Sequence, residues 1–213
     1  MIGASTPPFG ASLEEIMRSS LFLASIILAG RLAAAPYVID PAHSAIGFKV
    51  KHMMISTVPG HFNKFNGGFD FDPGKGQLKA VSITIDVTTI DTGVEMRDKH
   101  LRSGDFFATD QFPTATFVAK GPVKVKVDEA VKVPGTLTLR GVSKPVVLDV
   151  TYGGSAVDPM GNERVAFEAT AAINRTDYGV SFNKTLDHGG VMVGEEVKLD
   201  ITGEATLLKA GQK

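Results

Sequence analysis

The chain has 213 residues, a formal net charge of −1 and no cysteine. This length fits one domain better than two, because no linker-like segment divides the chain. The balanced charge excludes the broad basic surface of nucleic-acid-binding proteins, so no nucleic-acid partner is expected. The lack of cysteine excludes disulfides, thiolate metal sites and cysteine nucleophiles.

The N-terminal segment has the layout of a secretory signal peptide. A single arginine precedes the apolar run 21–29, and small residues follow at 33–35. The run is too short for a membrane-spanning helix, which needs about 20 residues. We therefore expect residues 1–35 to be an N-terminal extension and signal peptide, and the mature protein to reside in the periplasm. An amphipathic or buried N-terminal helix is the alternative.

Beyond this segment, apolar and polar residues alternate as they do in half-buried strands. About eight such runs occur, and turns rich in Pro, Gly and Asn separate them at 72–76, 140–145 and 158–162. Short turns imply antiparallel neighbours, and a change of phase within 60–71 indicates a β-bulge that lets the sheet bend. We predict that 36–213 form one all-β domain, a closed eight-stranded antiparallel barrel.

Alternation alone does not tell which face of the barrel points inward. An outer-membrane barrel turns apolar side chains toward lipid and carries aromatic girdles of tryptophan and tyrosine. This chain has no tryptophan and three tyrosines. We therefore expect an apolar interior and a protein that is not integral to a membrane.

The segment EMRDKHLRSGDFF, residues 95–107, interrupts the strand pattern. Thr92 and Glu95 have the spacing of a capping box, and Gly104 is a typical helix stop. These signals predict a short helix over 93–103, inserted between strands. We expect this helix to cap one end of the barrel.

Three interpretations of the helix remain open. In the favoured one, Arg97, Asp98 and His100 bond to backbone groups and to one another, while Met96 or Leu101 points inward. In the second, the cations contact the polar end of a ligand. In the third, His100 is catalytic, but neither a GxSxG nor an HExxH motif accompanies it.

Other polar residues give weaker signals. The histidines at 43, 52, 61, 100 and 188 lack the spacing of a local metal motif, so neither a metal nor a cofactor is predicted. Within NRTDYG, Arg175 either pairs with Asp177, which we favour, or binds the polar end of a ligand.

Five segments of the chain together resemble the YceI-like family of periplasmic, polyisoprenoid-binding, lipocalin-like proteins. They are YVIDPAHSAIGFKVKH (37–52), VPGHFNKFNGGFDF (58–71), IDTGVEMRDKHLRSGDFFATDQFPTATF (90–117), GTLTLRGVSKPVVLDV (135–150) and INRTDYGV (173–180). The resemblance implies a lipocalin-like barrel whose elongated apolar cavity holds a long-chain isoprenoid, such as a prenyl phosphate or a quinone. It also implies export to the periplasm and no known catalytic chemistry.

A cavity of this kind would be lined by the apolar residues that alternate with polar ones along each strand. The predicted ligand-binding residues are Phe48, Ile83, Ile85, Phe117, Leu137, Leu139, Phe167, Ile173 and Leu199. The polar end of the ligand would lie near the mouth, in reach of Arg97, His100 or Arg175. An eight-stranded barrel holds either a slender ligand or a filled core, and the filled core is the alternative.

Three functions are compatible with these signals. The favoured one is a non-enzymatic periplasmic carrier or buffer of a long isoprenoid or related lipid. The second is an enzyme that acts on such a lipid, although no catalytic motif supports it. The third is a stress-response interaction protein, forming a homodimer, whose cavity is incidental.

Overall fold

Residues 35–186 and 189–209 are described by the structure, which is a computed structural model. Residues 1–34 lie outside the described part, so the signal peptide over 1–35 stays a prediction. The described residues form eleven strands and one α-helix. These are β1 (Ala35–Ile39), β2 (Ala45–His52), β3 (Ser56–Phe62), β4 (Phe65–Asp72), β5 (Gln77–Asp86), β6 (Ile90–Asp91), α1 (Glu95–Arg102), β7 (Thr114–Lys124), β8 (Ala130–Leu139), β9 (Val142–Val157), β10 (Glu163–Asn174) and β11 (Val193–Leu207).

The strands close into an antiparallel barrel of eight members. β1 leads into β2 through a 3-10 turn at Pro41–His43, and β3 leads into β4, so each pair forms one long, bent barrel strand. β5, β7, β8, β9, β10 and β11 follow in order, each paired with the next. The circle closes because β11 pairs with both β1 and β2. The predicted eight-stranded antiparallel barrel is confirmed.

The bend predicted within 60–71 lies at Asn63 and Lys64, between β3 and β4. There the backbone N–H groups bond to Thr89 instead of a neighbouring strand, with Asn63 N donating to the Thr89 carbonyl and Lys64 N to its hydroxyl. The two extra residues restore the phase of the strand, so that Phe62 and Phe65 both reach the interior.

Aromatic rings fill one end of the barrel, which we call the closed end. Tyr37, Phe69, Phe71, Tyr152 and Phe167 pack with ring centroids 5.0 to 6.2 Å apart. Phe71 has no solvent exposure, and the Tyr37 hydroxyl donates to the carboxylate of Glu163 at 2.6 Å. This layer seals the interior at the end where β1 begins and the β9–β10 turn lies.

The opposite end, which we call the α1 end, is covered by irregular segments. α1 and residues 103–113 lie between β6 and β7, and the described residues 175–186 and 189–192 lie between β10 and β11. Arg140, in the β8–β9 turn, joins the two segments because its guanidinium donates to the carbonyls of Gly104 and Gly179. The predicted short helix over 93–103 is therefore present as Glu95–Arg102, at one end of the barrel.

Gly135 on β8 leaves room for the ring of Phe117 on β7. A Cβ at position 135 would lie 2.3 Å from that ring and 2.9 Å from the carbonyl oxygen of Val118. We expect Gly135→Ala to lower the free energy of unfolding by about 1–3 kcal/mol, because the ring and the strand must move apart. Urea denaturation measures the loss, and a double-mutant cycle with Phe117→Leu should give a coupling energy of about 1 kcal/mol. Additive losses would contradict the assigned contact.

Candidate functional site

An apolar cavity of about 240 Å³ lies inside the barrel, between the aromatic layer and the α1 end. All eight barrel strands contribute to its wall, together with Leu101, Phe106 and Phe107 from the segment that follows β6. Among the described residues, the polar residues along the wall are Ser44, Thr202 and Arg175, of which Thr202 turns its side chain to the exposed outer face of β11. The interior is therefore a lipid-like environment with one cation at its edge.

The structure brings all nine predicted ligand-binding residues together on this wall. They are Phe48, Ile83, Ile85, Phe117, Leu137, Leu139, Phe167, Ile173 and Leu199. Some of them keep part of their surface open inside the barrel, as half-buried Ile83, Phe167 and Ile173 do. The filled-core alternative thus describes the closed end only, and the contact of these residues with a ligand stays a prediction.

Small residues make the space. Ala115, Ala169 and Gly203 stand on the wall among the large side chains, where they leave volume that a leucine or phenylalanine would occupy. On the hairpin of β2 and β3, Gly60 faces Phe48, and a Cβ there would lie 2.3 Å from the Phe48 ring. The chain thus combines bulky and minimal residues so that a void remains.

Five aromatic residues of the wall are absent from the nine predicted ones, namely Phe62, Phe65, Phe69, Phe106 and Phe107. Phe62 belongs to β3, on the other side of the bend, and its ring packs between those of Phe48 and Phe107 at 5.6 and 6.5 Å. Phe106 and Phe107 come from a segment without regular structure. The only sequence signal for the last two is their apolar character beside the predicted helix.

The capping box predicted for α1 is wrong. Val94 occupies the N-cap position without a side-chain bond, whereas the Thr92 amide and hydroxyl both donate to Asp98 Oδ1, at 2.9 and 2.5 Å. Asp98 can accept both bonds because its carboxylate is buried against the segment that leads into the helix. Of the two residues predicted to point inward, Leu101 lines the cavity, whereas Met96 is 85% exposed.

Arg97 and His100 stand outside the cavity wall. The Arg97 guanidinium donates to the Thr92 hydroxyl at 2.7 Å and to its carbonyl at 2.8 Å. His100 Nε2 lies 2.8 Å from Asp105 Oδ2, and the imidazole packs edge-on against Phe106 and Phe182. Both side chains hold the cap together, as in the interpretation that we favoured.

Asp98→Ala is expected to lower the free energy of unfolding by about 1–3 kcal/mol, because it leaves the Thr92 amide and hydroxyl without their acceptor. Thermal denaturation measures this loss. Glu95→Ala, at an exposed position of the same helix, is the matched control and should change stability by less than about 0.5 kcal/mol. Equal melting temperatures for the Asp98 variant and the parent protein would contradict the role of this carboxylate.

Arg175 is the buried cation of the site. It is 5% exposed, and its guanidinium donates to the carbonyls of Gly194 (2.9 Å), Val180 (2.5 Å) and Val193 (3.1 Å). The predicted pair with Asp177 is wrong, because the 3-10 turn Arg175–Tyr178 directs the two side chains apart and the carbonyls take the place of a carboxylate. Burial lowers the pKa of the Arg175 guanidinium below its usual value.

The site offers one cation and few other polar groups. No ion pair to Arg175 occurs within 35–186 and 189–209, and a guanidinium has five N–H donors, of which three bonds are accounted for. Over the same two ranges no cluster of metal-binding side chains is found. No helix of the described chain is long and apolar enough to span a membrane.

A closed antiparallel barrel with an apolar interior of this kind defines the class of lipocalin-like barrels, which enclose a single cavity. The family model described as YceI-like domain matches residues 37–205. The chain therefore belongs to the YceI-like family, as its sequence motifs indicated.

Curated and solved relatives agree with this assignment. UPF0312 protein SAS2572 of Staphylococcus aureus is 38% identical over 172 residues, which cover 80% of this chain and 97% of that protein. The YCEI protein of Campylobacter jejuni has a TM-score of 0.64 at 34% identity, with 75% of this chain and 90% of that one covered. BcnA of Burkholderia cenocepacia has a TM-score of 0.67 at 26% identity, with 79% and 99% covered.

A more distant structure shares the fold. A polyisoprenoid binding domain from Saccharophagus degradans, implicated in plant cell wall breakdown, superposes with a TM-score of 0.60 at 20% identity. The superposition covers 82% of this chain and 99% of that domain. The barrel architecture is thus retained at low sequence identity.

Proposed function

We propose that the protein binds a long-chain polyisoprenoid, of the prenyl phosphate or quinone type, in the barrel cavity and acts as a carrier or buffer for it. The observation that carries this proposal is the continuous apolar wall, with a single buried cation at its α1 end. The name of the domain from Saccharophagus degradans, a polyisoprenoid binding domain with the same fold, supports it.

The wall favours an apolar chain over a compact polar ligand. Each CH₂-sized group that leaves water for the cavity contributes about 0.8 kcal/mol, so that chain length should dominate affinity. A long polar molecule would lose hydrogen bonds to water without replacement, because in the described part of the chain the wall offers only the polar side chains of Ser44 and Arg175.

Of the three candidates for the polar end of the ligand, Arg175 is the one that we propose. It lines the cavity, whereas Arg97 and His100 do not. Its carbonyl partners hold the guanidinium in place, and no carboxylate of the described residues forms an ion pair with it, so a phosphate or quinone oxygen would meet a preorganised donor. Arg97 and His100 are already bonded within the cap.

We further propose that the protein works in the periplasm and is not an enzyme. The signal-peptide pattern of 1–35 supports the location. An enzyme acting on the bound lipid would need an acid, a base or a nucleophile in the cavity, and the polar wall residues Ser44, Thr202 and Arg175 supply no paired general base.

Mass spectrometry of lipids extracted from the protein, purified from its native host without added lipid, tests the function. A stoichiometric isoprenoid is the expected result. Processed isoprenoid products would favour the enzyme, and an empty barrel would contradict both lipid functions. Titration with prenyl alcohols of graded length then tests the wall, and affinity that does not increase with chain length would contradict the proposed binding mode.

A further inference from the structure

The turn between β2 and β3 is unlike the other turns of the barrel. Its three residues Met53, Met54 and Ile55, which we call the hairpin tip, are 40%, 57% and 82% exposed. The turns at 72–76 and 158–162 instead contain aspartate, proline and glycine. Exposed contiguous apolar side chains of this size commonly mark a surface that contacts another phase or protein.

The backbone of the hairpin tip is also unfavourable for its residues. Met53 and Met54 both have positive φ values, 50° and 62°, and Ile55 N–H bonds to the His52 carbonyl at 3.1 Å to close the turn. Two consecutive left-handed residues at a hairpin turn are the arrangement in which Asn and Gly are strongly preferred. Methionine here costs stability, which points to a role of these side chains in contact.

The hairpin tip lies beside the α1 end of the cavity. Val50 and Val193 both line the cavity, and His52 pairs with Val193 across β2 and β11. One residue further, Met53 N–H donates to the Met192 carbonyl at 2.8 Å. A surface bound by the hairpin tip would therefore stand next to the end of the barrel at which Arg175 lies.

The β2–β3 hairpin carries basic but no acidic side chains, although exposed Glu195 and Glu196 of β11 lie across from Lys51. No aspartate or glutamate occurs between Asp40 and Asp70, whereas this stretch contains three lysines and three histidines. Lys51 is exposed on β2 directly before the hairpin tip, and exposed Lys184 lies on the adjacent strand-like segment, where its carbonyl accepts from Met192 N–H. An apolar tip with flanking cations matches an anionic phospholipid surface, in which side chains enter the acyl region and lysines meet phosphates.

We propose that the hairpin tip Met53–Ile55 docks the barrel onto an anionic phospholipid bilayer, with Lys51 and Lys184 at the headgroups. This inference deepens the proposed function, because a carrier of an isoprenoid must exchange its ligand with a membrane. The docking surface and the cavity are separate sets of residues, so each can be tested without the other.

Because the chain contains no tryptophan, a single introduced tryptophan reports its own surroundings. Met54→Trp is the probe variant, and Met160→Trp, in the 78% exposed position of the β9–β10 turn at the closed end, is the matched control. With vesicles of equal parts phosphatidylglycerol and phosphatidylcholine, Met54→Trp fluorescence should shift to the blue and be quenched by brominated acyl chains. Met160→Trp fluorescence should do neither. Equal responses of the two variants, or none, would overturn the proposal.

A turn-optimised variant separates contact from folding. Met53→Asn, Met54→Gly and Ile55→Ser together should keep or raise the thermal midpoint, because they suit the left-handed turn. The same variant should lose vesicle affinity by about tenfold or more, since the inserted apolar surface is gone. Unchanged vesicle affinity would overturn the proposal. A second result would also overturn it: the parent protein sediments as a dimer without lipid and does not bind vesicles, while the turn-optimised variant sediments as a monomer. The hairpin tip would then contact a second copy of the chain.

Two further measurements keep this inference distinct from the proposed function. In detergent solution the turn-optimised variant should bind prenyl alcohols as the parent does, whereas a cavity variant such as Leu137→Asp should retain vesicle affinity. Lys51→Gln with Lys184→Gln should weaken binding to the mixed vesicles and leave binding to pure phosphatidylcholine unchanged. If vesicle affinity changes neither with the lysine substitutions nor with the charge of the lipid, the anionic surface is the wrong partner.

Discussion

Leu137→Asp is expected to abolish the binding of prenyl chains. Leu137 is buried on β8 and faces the cavity, so that the variant places a carboxyl group on a wall otherwise built from apolar side chains. A bound chain would have to displace the water around this group without offering it a hydrogen bond. We expect affinity to fall about a hundredfold or more, which corresponds to a loss of about 3 kcal/mol.

The neighbouring residue provides the control. Thr136 is exposed on the same strand, and its side chain points away from the cavity, so Thr136→Asp adds the same charge at nearly the same place outside the barrel. Titration of both variants with a fluorescent prenyl alcohol, after circular dichroism has shown a native β spectrum, gives the comparison. Similar losses for the two variants would contradict a binding site inside the barrel.

Ile85→Asp extends the test to another part of the wall, two strands away from β8. Ile85 is buried on β5 and lines the same cavity, but it is reached from a different strand and pairs with Phe65. A ligand that fills the whole cavity should be sensitive to both Leu137→Asp and Ile85→Asp. Loss of binding in only one of them would restrict the ligand to one side of the barrel.

The regular strands explain why so much of the wall was predictable. In β5, Ile83 and Ile85 point inward and Ser82 points outward, and the same two-residue period holds over the length of a ladder. Because a barrel has one inside, parity within a strand is sufficient to assign a residue to the interior. This rule placed all nine predicted residues on the cavity wall, from β2 to β11.

The residues that escaped prediction depend on where irregular segments run. Arg175 was expected to pair with Asp177, two positions away, but its partners Val180, Val193 and Gly194 are brought to it by the segment between β10 and β11. Backbone carbonyls carry no side-chain signature, so this arrangement leaves no trace in the sequence. The bonds from Arg140 to Gly104 and Gly179 are of the same kind.

The same reason explains the error at α1. Thr92 has the chemistry and the spacing of an N-cap residue, but its hydroxyl donates to Asp98 and accepts from the Arg97 guanidinium instead of from a helix N–H group. The helix itself was predicted from the capping-box spacing and the stop at Gly104, and it forms without the capping box because 95–102 contains several strong helix formers. Capping of the helix, in contrast, depends on which side chains the preceding segment places beside the first helical N–H groups.

Arg175→Met should have the largest effect on stability among the polar residues of the site. The change removes three bonds to backbone carbonyls, of which that of Val193 keeps a second donor in the Asn183 amide. We expect the free energy of unfolding to fall by about 2–5 kcal/mol, since unsatisfied buried acceptors cost about 1–3 kcal/mol each. Urea denaturation measures the loss, and Arg97→Met, outside the cavity wall, should cost less.

A structural role alone would not change which ligand the cavity prefers, so the binding of two chains of equal length tests whether Arg175 meets the polar end. The parent should bind a prenyl phosphate more tightly than the matching hydrocarbon by about tenfold or more, because a charge-assisted bond contributes about 1.5–3 kcal/mol. Arg175→Lys keeps the charge but loses the fork of donors, so it should reduce the ratio of phosphate to hydrocarbon affinity. The lysine can still donate to one of the three carbonyls, which retains part of the stability. Arg97→Met should leave the ratio unchanged. Two results would contradict this role: the ratio is the same in the parent and in Arg175→Lys, or it falls in Arg97→Met instead. Either result would show that the Arg175 guanidinium only holds β11 to the barrel and that the polar end of the ligand lies elsewhere.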